Sequence, residues 1–140
     1  MSESMSGEPK YPWRLDTNDR YRETVTTINN LATATLLLPV FLAREFLGIK
    51  GDVALKNVFT STIYLSWGLL GFSIFSGIVF CFFSAKWARL AWGEPVSLFA
   101  VDASDLFIEW ALMIFFWCTV LGFLAGLGLT MQFFVSYPNK

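Results

Sequence analysis

Residues 24–43 read TVTTINNLATATLLLPVFLA, twenty positions without a charged side chain. As a helix at about 1.5 Å per residue, that length covers about 30 Å, the thickness of a bilayer's hydrocarbon core. The strongly apolar part is shorter, Leu31–Ala43. Apolar runs of about 10–14 residues often lie in the membrane interface instead of crossing it. Stepping about 100° per residue, Thr26, Asn30, Thr33, Leu37 and Arg44 fall near one line. Val25, Ile28, Leu31, Thr35, Leu38, Leu42, Phe46 and Ile49 fall on the other side, so the helix is partly amphipathic. Pro39 removes a backbone donor and predicts a kink. Beyond Leu36 the stretch is apolar on almost every face, which favours a span.

The rest of the fold follows from that choice. Val58–Ser84 and Trp110–Asn139 are long uncharged runs, each sufficient to cross with some tilt. The expectation is an all-α integral membrane protein, a three-helix transmembrane bundle with hydrophobic segments at about 24–47, 58–84 and 106–136. Two spans plus an interfacial helix is the alternative. Residues 1–18 are expected to form a flexible polar arm and residues 19–140 a single transmembrane domain. Asp16 or Thr17 would cap the first helix, with Asp16/Arg20 and Asp19/Arg22 supporting its first turns. Gly48 and Gly51 would end it, and Asp52 or Asn57 would start the second. Lys86, Trp87, Arg89 and Trp92 form an interfacial belt, followed by the breakers Gly93, Glu94 and Pro95. Asp102, Ser104 and Asp105 are N-cap candidates for the third helix, and Tyr137-Pro138 closes it.

Composition agrees with this environment. Of the 140 residues 55 % are hydrophobic and 15 % charged, and 18 % are aromatic. Ordinary soluble domains run at roughly 45–50 % apolar and 25 % charged. Net charge is −1, which offers nucleic acid no basic field. There is no histidine, so the commonest metal ligand and general base is missing. Cys81 and Cys118 lie in apolar runs and read as buried reduced thiols. Neither a base–nucleophile pair nor a phosphate or dinucleotide loop is present. No enzyme activity, cofactor or metal is expected, and the first 23 residues are too polar for a cleavable signal peptide.

Lysine and arginine set the expected orientation. With three spans, six cations share the side of the N-terminus and four lie opposite, which predicts a cytoplasmic N-terminus in a plasma or bacterial inner membrane. With two spans the split is eight against two.

Function must rest on thin polar and small-residue stripes. Ser66, Ser73 and Gly77 in the second segment, and the GxxxG pair Gly122 and Gly126 in the third, let backbones approach closely. They serve either the chain's own helices or contact with another protomer. Glu109 is an ionisable group at the start of the third segment, placed to reach the interface or to bind a cation. Copies of the line Thr26, Asn30, Thr33, Leu37 and Arg44, facing inward in a ring, would line a narrow wet path with Leu37 as an apolar constriction. The expected function is therefore a homo-oligomeric channel or membrane-perturbing pore built by helix–helix assembly. An accessory or stabilising subunit of a larger membrane complex is the alternative. The expected partners are the lipid bilayer and either copies of the chain or other membrane subunits.

Overall fold

The structure, a computed structural model, describes residues 12–46, 59–93, 97–98, 101–102 and 104–136. Three helices carry the fold: α1 (Pro12–Phe46), α2 (Ser61–Ala91) and α3 (Asp105–Ser136). Between α2 and α3, β1 (Ser97–Leu98) and β2 (Val101–Asp102) pair antiparallel, Ser97 with Asp102 and Leu98 with Val101. The chain is an all-α three-helix bundle, and each helix is long and apolar enough to cross a membrane.

α1 begins at Pro12, inside the stretch 1–18 expected as a flexible polar arm. Proline suits a first helical position, because its fixed φ is already helical and its missing N–H would have no intrahelical acceptor there. Asp16 and Thr17, expected as caps, lie inside the helix, where the Thr17 hydroxyl donates to the Trp13 carbonyl. The two expected charge pairs form, Asp16–Arg20 at 3.3 Å and Asp19–Arg22 at 4.0 Å. Pro39 lies within α1 and is buried. The proposed stops at Gly48 and Gly51 and the starts at Asp52 and Asn57 lie outside the described residues, as do Glu94, Pro95, Tyr137 and Pro138. Thr60 occupies the N-cap of α2 without a side-chain cap bond. Gly93 follows α2 at φ 78°, a conformation that glycine adopts without the Cβ penalty. Ser104 caps α3, its hydroxyl accepting the Phe107 N–H at 3.4 Å.

The packing of α2 explains the topology. Its buried positions are Ile63, Ser66, Leu70, Ser73, Ser76, Gly77, Phe80, Ser84 and Trp87, spaced mostly three and four apart. That is the seam of a left-handed helical bundle. α3 packs antiparallel on it. The Ser66 and Thr130 hydroxyls lie 2.6 Å apart and converge on the Gly126 carbonyl, at 2.6 and 2.9 Å. One layer further along, the Ser73 hydroxyl donates to the Thr119 carbonyl at 2.7 Å. α1 also runs antiparallel to α2. The Asn18 amide and the Ser84 hydroxyl exchange two hydrogen bonds, at 2.9 and 3.1 Å.

Lipid tails are as apolar as leucine, so such contacts and close packing must replace hydrophobic drive between helices. An interhelical side-chain bond in a membrane contributes about 0.6 kcal/mol on average and up to about 1.7. Ser66→Ala, which removes the hydroxyl at the centre of the Gly126–Thr130 cluster, is expected to lower stability by about 1–2 kcal/mol. Unfolding in mixed micelles measures it. A loss no larger than that of exposed Ser61→Ala would show that the cluster does not hold α2 to α3.

Candidate functional site

Four of the five residues on the polar line of α1 have described side chains. Thr26, Asn30, Thr33 and Leu37 all face outward, away from α2 and α3. Arg44 belongs to α1, but its side chain lies outside the described residues. The bundle-facing side of α1 instead carries Asn18, Val25, Ala32 and Pro39, spaced seven apart. The threonines on the exposed side are satisfied by their own helix: Thr26 donates to Arg22, Thr27 to Glu23 and Thr33 to Asn29, each at 2.8–3.0 Å. Asn30 is different, because a carboxamide has four hydrogen-bonding positions and one backbone carbonyl cannot meet them.

The exposed face continues toward the N-terminus through Glu23, Arg22, Arg20, Asp19 and Asp16. The helix contacts fix the height of that charged stretch. Asn18 lies against Ser84, and the Tyr21 ring packs edge-on to Phe116 at 4.9 Å. The charged residues 19–23 therefore stand beside the apolar end of α2 and the first turns of the uncharged run of α3. At that height α3 exposes Ile114 and Trp117. One flank of the bundle is charged where another is aromatic.

The small-residue positions are divided between two interfaces. Ser66, Ser73, Gly122 and Gly126 meet at the α2–α3 contact. A Cβ at Gly122 would lie 3.2 Å from Ser73 Cβ, and one at Gly126 would lie 2.7 Å from Leu70 Cγ. Gly77 serves α1 instead, since a Cβ there would collide with the Asn29 carboxamide. Asn29 Oδ1 and Ser76 Oγ are buried and, among the described residues, find no hydrogen-bond partner in the bundle. The polar side of α1 is thus incompletely satisfied both inside and outside the bundle.

Glu109 is half-exposed and pairs with Arg14 of α1 at 3.0 Å. This ties the first turns of α3 to the start of α1. Sequence reasoning missed Arg14, Asn18, Asn29 and Ser76. A detectable signal existed for the residues that Asn18 and Asn29 pack against: the seven-residue repeats Ile63, Leu70, Gly77, Ser84 and Ser66, Ser73, Phe80, Trp87 mark two seams on α2, and the first holds Ser84 and Gly77. Cys81 and Cys118 are unpaired and half-buried. Among the described residues no three Cys, Asp or Glu side chains converge as metal ligands would.

Comparison with protein families, with curated proteins and with solved structures finds no match.

Proposed function

We propose that this chain is a non-enzymatic membrane protein that works as an assembly of its own copies. The outward faces of α1 turn toward a shared water-filled interior, making a homo-oligomeric channel or membrane-perturbing pore. The observation that carries this reading is the mismatch in height between the flanks. Glu23 lies five residues past Asn18, about 7.5 Å deeper along the helix than the Ser84 level. At that depth α2 and α3 present apolar surface suited to lipid, whereas α1 presents Arg22 and Glu23, with Thr26, Asn30 and Thr33 following deeper on its outward face.

A flat hydrocarbon slab of about 30 Å set on residues 24–43 leaves Arg22 and Glu23 at its edge, but it still turns the Asn30 carboxamide and the threonines toward lipid. An unbonded amide in an apolar medium costs roughly 2–7 kcal/mol. Turning α1 faces toward one another leaves Trp110, Met113 and Trp117 to lipid and gives the polar face water. Ser66, Ser73, Gly122 and Gly126 are consumed inside the chain, and the outward polar face of α1 remains open for assembly. An N-terminus on the cytoplasmic side of a plasma or bacterial inner membrane accords with the six-to-four division of cations.

Contact with a different subunit is the second reading. Its support is the outward aromatic surface of α2 and α3, with Phe72, Phe75, Trp110 and Trp117 at least half exposed. Native mass of the detergent-solubilised chain and ion flux in liposomes separate the two. A defined homo-oligomer that conducts, with flux reduced at least several-fold by Asn30→Leu, is the expected result. A monomeric protein that passes no current overturns the pore reading in favour of the subunit reading.

A further inference from the structure

At the end of the bundle where α1 begins, a cavity of about 320 Å³ lies between α1 and α3. Trp13 and Tyr21 of α1 form one wall, and Met113 and Trp117 of α3 the other. Phe80 and Trp87 of α2 form a buried floor, only 2 % and 6 % exposed. The walls are open, with Trp13, Met113 and Trp117 all more than half exposed. This is a groove that opens sideways, and its size lies at the lower end of the roughly 300–1,000 Å³ of small-ligand sites.

One end of the groove is polar. Arg14 Nη1 and Glu109 Oε1 meet at 3.0 Å across the gap between α1 and α3, and the Arg14 guanidinium lies 5.3 Å above the Trp13 ring. Glu109 immediately precedes the uncharged run of α3. From there the groove reaches Trp117, eight residues or about 12 Å further along the helix. The ion pair stands at the polar edge of the span and the aromatic channel runs inward from it.

We propose that this groove holds one zwitterionic phospholipid per chain, its headgroup phosphate beside Arg14 and its ammonium beside Glu109. One acyl chain lies along the aromatic floor. Charge complementarity selects this occupant. An anionic headgroup would meet the Glu109 carboxylate, and a cationic amphiphile would meet the Arg14 guanidinium. A headgroup with both signs finds an opposite charge for each, in the bipolar arrangement that the pair already holds. Indole faces favour the ammonium end, since a ring face attracts cations by its quadrupole. The site belongs to a single chain and does not depend on the pore reading.

The test uses the full chain, purified in detergent and given defined phospholipids, with retained lipid counted by native mass spectrometry. The wild type is expected to keep one phosphatidylethanolamine or phosphatidylcholine per chain about fivefold to tenfold better than phosphatidylglycerol. Glu109→Gln, which leaves the guanidinium without its carboxylate, shifts the preference toward phosphatidylglycerol. Arg14→Gln removes the phosphate partner and weakens retention of both classes. Thr17→Trp, which fills the groove and leaves the ion pair intact, abolishes retention of the single lipid. A merely structural ion pair would lower stability in both charge variants without reordering the headgroups. Equal retention of zwitterionic and anionic lipid by the wild type overturns the proposal, as does a headgroup order that Glu109→Gln leaves unchanged.

Discussion

Gly126→Ala is expected to lower the stability of the bundle by about 1–3 kcal/mol, and Gly126→Leu to separate α3 from α2. The first added carbon would lie 2.7 and 2.8 Å from the Leu70 side chain and 3.2 Å from the Leu70 backbone nitrogen. Leu70 is fully buried, so it has no free volume into which to retreat. The helices would have to move apart, which lengthens the contact between the Ser66 hydroxyl and the Gly126 carbonyl, now 2.6 Å. Overpacking and bond loss then act at the same point. Gly128→Ala is the internal control. Nothing lies within 4 Å of a Cβ at that position, so the variant is expected to be neutral or slightly stabilising through better helix propensity. Gly122→Ala falls between them, with its Cβ 3.2 Å from Ser73 Cβ and 3.4 Å from the Leu69 carbonyl. Unfolding of all three variants in mixed micelles gives the order directly. Equal stability of the Gly126 and Gly128 variants would mean that α2 and α3 are not held at this distance in the bilayer.

The parts of this fold that were legible in advance are those with a one-dimensional signature. Uncharged runs long enough for a bilayer mark α2 and α3, and the cluster Asp102, Ser104 and Asp105 marks the start of α3, where Ser104 proves to be the cap. That Thr26, Asn30, Thr33 and Leu37 share one line was also readable, since residues three and four apart share a helix face, but not that the line faces away from α2 and α3. What escaped was set by tertiary contact. Residues 12–18 read as a polar arm because their composition is that of coil, yet they continue α1 and include Asn18 and Arg14. Their partners, Ser84 and Glu109, lie 66 and 95 positions away, and no local pattern announces such pairs. Gly77 read as one member of a stripe with Ser66 and Ser73. Seven-residue spacing puts it on a different seam, where α1 approaches and leaves room for Asn29 rather than for α3. The adjacent Asn29 and Asn30 show the same limit. Neighbours on a helix point about 100° apart, so one carboxamide enters the bundle and the other leaves it, and only the packing of α1 decides which.

Replacing the apolar end of the polar line should have the largest functional effect. If copies of the chain form the proposed pore, Leu37→Ser is expected to raise ion flux through it by about tenfold or more. Leu37 is 45 % exposed and lies one turn past Thr33 on the same outward face. Above it the line is hydroxyl and carboxamide, able to hold water; at Leu37 water loses its partners. A narrow apolar ring closes by dewetting rather than by steric contact. Removing a leucine side chain from water is favourable by roughly 1.5–3 kcal/mol, and about 1.4 kcal/mol is a factor of ten in an equilibrium. Serine at each copy cancels that drive and supplies a hydroxyl, so the wetted state gains at least that factor. Leu37→Phe, larger and equally apolar, should reduce flux instead. On the pore reading the size of the oligomer, read from native mass, should stay the same in both variants, because Leu37 faces the shared water path rather than a neighbouring copy. The direction of the two changes matters more than either magnitude. Lipid-facing residues have no reason to respond oppositely to serine and phenylalanine, whereas residues ringing a water path must. Unchanged flux in both variants would place the line away from any conducting path and leave α1 as a docking face for a different membrane subunit.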